Sequence, residues 1–218
     1  MVGFAENEIS HTAVVAQMAA VLFTMECALW THGRVQVYWC VAAFASIVVC
    51  VLLSRPRAKD LGIGVDGMIG ASVSIPIALA AACLGVVFAW QVGTLRGLYG
   101  SQTPVWHGLL YAVWALEQQF ILNSFFYRRF EHLFGNTSFS MFSAALLFSL
   151  VHLPNPVLVP ATFVGGIFFI SVFRRWRNIY PLAIAHAIVG LTLAVTFPDH
   201  WLRHMRVGLA FLRFHVNG

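Results

Sequence analysis

The chain has 218 residues, of which 60% are hydrophobic and 10% charged, with a formal net charge of +5 and a mean hydropathy of +0.80. Soluble domains carry about 25% charged residues, so too few polar groups are present to cover a solvated surface. This excludes a soluble domain, a disordered chain, a coiled coil and a disulfide-stapled secreted domain, and because the basic residues sit at the ends of apolar runs, the positive charge points to anionic lipid and not to nucleic acid.

Unbroken apolar runs such as Ala42 to Leu53 and Ile75 to Trp90 favour an all-α transmembrane bundle over a β-barrel, whose strands would alternate in polarity. Glu6 and Glu8 stand where a cleaved signal would need positive charge, so none is expected. About 20 residues cross the hydrocarbon, which places spans at 12–30, 35–54, 68–92 and 105–127, then shorter ones at 139–153, 157–174 and 180–197. About seven spans are therefore predicted. The fifth, about 22 Å long as a helix, stops short of the far surface at Leu153-Pro154-Asn155-Pro156. This gives a broken hairpin near Pro154-Pro156, with irregular backbone kept inside the protein.

Basic residues follow the even spans (Arg55, Arg57 and Lys59; Arg128 and Arg129; Arg174, Arg175 and Arg177), against Arg34 and Arg96 after odd ones, so the N-terminus is expected in the cytoplasm. In the tail, Arg203, Arg206 and Arg213 share one face at helical spacing opposite Leu202, Leu209 and Phe211, which predicts an amphipathic interfacial helix. The chain thus divides into N-terminal transmembrane helices at 1–100, a core at 101–198 and an amphipathic tail at 199–218. Cys27, Cys40, Cys50 and Cys83 lie inside apolar runs without C-x-x-C spacing and are expected to be small core hydrophobes.

A charged group inside the membrane costs several kcal/mol, so each intramembrane acid or histidine marks a candidate site. Glu26 lies a turn from Trp30 and reaches the interface, and His107 starts a span; both have structural explanations. Glu117 is more than two turns from either end of its span, beside Gln118, Gln119 and Asn123, which could equally form a structural polar knot with it. His152 falls just before the proline break, and His186 sits among small residues that let helices approach closely. One acid and two histidines on three deep segments suit the activation of a water, the carboxylate taking its proton while the imidazoles stabilise an oxyanion or hold a cation. There is no H-E-x-x-H, and Asp60, Asp66 and Asp199 lie in loops or at span ends, so neither a zinc site of that type nor a paired-aspartate site is formed. No serine stands beside a glycine-rich oxyanion loop for a Ser/His dyad.

Over residues 105–197 these motifs resemble the CPBP family, which includes the type II CAAX prenyl endopeptidases and bacteriocin-processing enzymes, with its pattern E-E-x-x-x-R, F-x-x-x-H and H-x-x-x-N. Glu117 matches the first Glu, Phe148 and His152 the second motif, and His186 opens the third, while Gln118, Leu122 and Gly190 replace the second Glu, the Arg and the Asn. Asp60-Leu61-Gly62-Ile63 is similar to the segment that often precedes the family core. The resemblance implies an intramembrane endopeptidase with Glu117, His152 and His186 activating water, Gln118, Phe148 and Gly190 at substrate or core-motif positions, and Asn123 or Arg128 as substitutes for the changed motif residues. Arg128 is too far along the helix to reach Glu117. It implies a peptide or membrane-protein substrate and a multi-pass protein of a bacterial cytoplasmic membrane. Two His and a Glu would also suit a divalent metal such as zinc. The departures leave room for a pseudoenzyme, and two other classes stay open: a non-catalytic immunity or scaffold protein of the same fold, and a bis-His haem or metal protein.

Overall fold

The computed structural model describes residues 9–96 and 105–214, apart from the side chains of residues 105–107. Glu6, Glu8 and the side chain of His107 lie outside what is described. All regular structure among the described residues is helical. Among the described residues, four helical segments are long and apolar enough to cross a membrane: His11–Leu29 (α1), Gly33–Ser54 (α2), Met68–Gln91 and Leu158–Trp176 (α9). Outward-facing residues on them are large and apolar, including Phe44 at 64%, Leu53 at 68% and Leu84 at 72% exposure. Such a surface is stable against lipid and costly against water.

Local chemistry sets the boundaries. Ser10 caps α1 by accepting from Ala13 N–H at 3.2 Å. After α2 come two short helices, Ala58–Leu61 (α3) and Met68–Ala71 (α4), and then Ser74–Gln91 (α5). The expected single span at 68–92 is thus interrupted at Ser72 and Val73, four and three residues before Pro76, which has no N–H to return to Ser72 O in the helical ladder. Gly67 has φ +71°, and a Cβ there would fall 1.7 Å from the Trp176 carbonyl oxygen, so only glycine lets α4 lie against the end of α9.

The fourth expected span runs on as one rod: Val105–Gln119 (α6), a π-helical stretch Phe120–Tyr127, and Arg128–Phe134 (α7). Ile121 through Tyr127 are all buried, as on a helix surrounded by neighbours. One side of this stretch packs on Val14, Met18, Val21 and Ile47 of α1 and α2. Its other side, through Leu122 and Tyr127, meets Phe148 of Ser138–Leu150 (α8), Phe169 and Phe173 of α9, and Leu182 of Tyr180–Thr196 (α10). The three expected short spans at 139–153, 157–174 and 180–197 correspond to α8, α9 and α10, and α8 does end at the proline hairpin, where the Leu153–Pro154 bond is cis.

Polar contacts gather the basic ends. Arg128 lies 3.6 Å from Asp60, Arg177 pairs with Glu131, and Arg174 donates to Asn136 Oδ1 at 2.6 Å. The loops that follow the even spans therefore meet at one end of the bundle. Glu26 takes its structural role, accepting from Trp30 Nε1 at 2.9 Å.

Two expectations fail. Of the four cysteines only Cys50 is buried, while Cys40 and Cys83 are exposed, because a span has an apolar outer face as well as an apolar inner one. The tail is not one amphipathic helix: it breaks into Asp199–Leu202 (α11), a turn at Arg203–Met205 and Gly208–Leu212 (α12). Arg203, His204 and Met205 all have positive φ, which no continuous helix permits. Asn155 of the proline hairpin holds this break, donating to Leu202 O at 2.8 Å and Arg206 O at 2.9 Å.

Asp199 ties the tail to Arg96 at 2.5 Å and to His204 at 3.2 Å. Burial by itself raises the carboxyl, but the Arg96 hydrogen bond and the charge of His204 outweigh it and hold Asp199 below its ordinary 3.8. A carboxyl lowered in the folded state stabilises above its unfolded value and loses that contribution as pH falls through the folded one. A nitroxide at exposed position 200 should gain mobility as pH drops below about 4, and Asp199→Asn should give that spectrum at neutral pH. A pH-independent spectrum in the unaltered tail would show that the pair does not hold it.

Candidate active site

A cavity of about 790 Å³ opens between α5, α6, α8, α9 and α10, with Trp201, Met205 and Val207 of the tail at its edge. Its walls are mostly apolar, and its polar lining comes chiefly from Tyr111, Gln118, His152 and His186. Helical spacing explains which residues of α6 reach it. Tyr111, Trp114 and Gln118 form an i, i+3, i+7 stripe on the cavity side. Ala115 and Gln119 are fully buried against the neighbouring helices, and Leu122 continues that stripe.

Glu117 belongs to a third stripe, with Leu110 and Val113 at 64% and 65% exposure, and faces outward. The structure brings His152 and His186 to one cavity and leaves Glu117 outside it. Of the expected Glu/His/His set, two members therefore line the cavity and the third does not: adjacent helix residues point about 100° apart, so with Gln118 in the cavity Glu117 is turned away. Among the described residues no three of His, Cys, Asp or Glu form a group that could hold a metal ion.

Each histidine is oriented by a different partner. His152 Nδ1 is 2.7 Å from Phe148 O, an acceptor, so Nδ1 carries the proton and Nε2 keeps its lone pair. The Phe148 ring lies edge-on to this imidazole, 5.0 Å between centroids. His186 Nδ1 lies 3.0 Å from Gln119 Nε2. With Asn123 Nδ2 donating to Gln119 Oε1 at 2.7 Å, the Gln119 amide turns its Nε2 to His186 and donates there. His186 Nδ1 is then the acceptor and its proton is on Nε2. Phe169 stacks on this ring at 5.5 Å and 20°. The cavity therefore receives one imidazole acceptor and one imidazole donor.

Gln119 and Asn123 are fully buried, and Asn123 Oδ1 has no partner among the described residues. Asn123 serves as the inner anchor of Gln119, while Arg128 turns to Asp60 and takes no part. Gly190, one turn after His186, lines the cavity against Tyr111. Sequence reasoning passed over Tyr111 and the orienting role of Gln119. The signal available for Tyr111 was its i, i+7 spacing to Gln118, two polar-tipped residues on one stripe of a largely apolar helix.

Residues 100–192 match the family model of the type II CAAX prenyl endopeptidase Rce1-like proteins. That match supports the CPBP and CAAX protease resemblance. It spans α6 to most of α10, which carry every polar residue of the cavity, and supports a CAAX-type intramembrane endopeptidase in general. No curated protein and no solved structure matches the chain.

Gln119→Leu keeps the side-chain volume but removes the donor to His186. The ¹⁵N signals of that ring should move from the Nε2–H pattern to a tautomer mixture, with a loss of about 1–3 kcal/mol in stability. An unchanged ¹⁵N pattern would mean that something other than Gln119 sets the tautomer.

Proposed function

We propose that the chain is an intramembrane endopeptidase in which His152, and not Glu117, takes the proton from the attacking water. The observation that carries this reading is the pair of opposed tautomers: an unprotonated Nε2 on His152 and a protonated Nε2 on His186 at one apolar cavity. A water hydrogen-bonded to His152 Nε2 loses its proton there as its oxygen attacks the peptide carbonyl. The electron pair displaced onto the carbonyl oxygen is met by the N–H of His186. When the intermediate collapses, the proton on His152 goes to the departing amine. Gln118 lines the same cavity and is suited to binding the substrate backbone, since its amide both donates and accepts. The apolar walls suit a hydrophobic peptide segment that enters from the membrane, and the multi-pass setting is that of the about seven spans expected from the sequence.

A second reading has one observation in its favour, the lack of a carboxylate in the cavity lining. It is a non-hydrolytic protein of the same fold that binds a hydrophobic segment. Comparing peptide termini in membranes that contain matched amounts of each variant separates the two. Under the endopeptidase reading, His152→Ala should lower cleavage by about 10²–10⁴ and Glu117→Gln should leave it within about twofold. Gln118→Glu, which adds a carboxylate to the cavity that both imidazoles line, should raise it. Termini identical in wild type and His152→Ala would favour the binding reading, and loss of cleavage in Glu117→Gln would return the base to Glu117.

A further inference from the structure

We infer that the hydroxyl of Tyr111 is a second oxyanion donor of this site and occupies the space of the side chain missing at Gly190; the inference rests on the endopeptidase reading above. A Cβ placed on Gly190 would lie 1.9 Å from Tyr111 Oη, 2.7 Å from Cζ and 3.0 Å from Cε1. Two groups cannot share that volume, so the glycine on α10 is what admits the tyrosine from α6. Gly190 is four residues after His186, one turn along the same face, so a group in that volume stands beside the His186 ring. Tyr111 lies on the cavity stripe of α6, two turns before Gln118, and lines the cavity. Its hydroxyl has no hydrogen-bond partner among the described residues and is not sealed in the core. A tyrosine in an apolar setting ordinarily finds a partner for its O–H, and here the side open to it is the one where substrate would lie.

The chemistry is a hydrogen bond that strengthens as charge develops. As water oxygen bonds to the carbonyl carbon and its proton passes to His152, the carbonyl electron pair becomes an oxyanion. That oxygen then accepts from Tyr111 O–H and from His186 Nε2–H. Tyr111 keeps its proton throughout, and its contribution is lost again when the amine leaves and the carbonyl reforms.

The test is a reciprocal exchange in the full chain, reconstituted in liposomes and assayed on a pool of hydrophobic peptides. Tyr111→Phe keeps the ring and removes the donor, and should lower kcat about 100-fold with KM nearly unchanged, as for loss of one oxyanion donor. Gly190→Asn alone places its Cβ on the tyrosine and should be equally impaired. Tyr111→Ala with Gly190→Asn empties the space and refills it from the other helix, and should recover at least tenfold over either single change. Full activity in Tyr111→Phe would overturn the assignment, and no recovery in the double variant would overturn the claim that the two groups occupy one place. Failure of the endopeptidase reading looks different: wild type and His152→Ala would then be equally inert on the same pool, and the assignment would fall with it.

Discussion

A row of three buried side chains, Asn123, Gln119 and His186, joined at 2.7 and 3.0 Å, determines how α6 is turned in the bundle. The contact reaches from the rod formed by α6 and the π-helical stretch across to α10. Rotating this rod by one residue would keep the Gln119–Asn123 bond, which lies within it, but would pull the Gln119 amide away from His186 and leave His186 Nδ1 bare, at about 1–3 kcal/mol for each buried group left unpaired. With that rotation set, Tyr111 and Gln118 face the cavity, Glu117 faces outward, and His186 holds its proton on the atom that meets the cavity. The site's donor and acceptor arrangement follows from this one chain of amides.

The rest of the molecule supports that arrangement from outside. α1 and α2 clamp one side of the π-helical stretch, while α8, α9 and α10 clamp the other. Full burial on all sides is what makes a π-helical stretch tolerable, because its looser ladder is shielded from competing partners. Ion pairs are kept to the two ends of the bundle, where water and headgroups can solvate them. At the far end the tail, folded over by Asn155, brings Trp201, Met205 and Val207 to the cavity edge, so the wall of the site includes residues beyond the matched segment.

Much of the fold was legible because hydropathy reports which stretches are apolar enough to sit in lipid. Helix ends came within a few residues of expectation except in the fourth span, which runs on to Phe134, and Pro154 and Pro156 marked the hairpin correctly. Hydropathy says nothing about rotation, however. In a span both the lipid face and the protein face are apolar, so the sequence around Glu117 does not reveal which face meets the cavity. Breaks that depend on backbone detail were missed for a related reason: the interruption at Ser72 and Val73, the π-helical stretch and the left-handed turn at Arg203–Met205 leave composition unchanged. His152 and His186 were legible because an imidazole deep in an apolar run has few cheap explanations. Tyr111 was not, since tyrosine is ordinary in a membrane helix, and only the close approach of Gly190 gives it meaning.

The rotation of α6 can be measured directly. Nitroxides at positions 117 and 118, one at a time in bilayers, report whether each site is relaxed by oxygen dissolved in lipid or by a water-soluble nickel chelate. The expected result is oxygen relaxation at 117 and chelate access at 118. Chelate access at 117 together with lipid exposure at 118 would place Glu117 in the cavity and contradict the site described above.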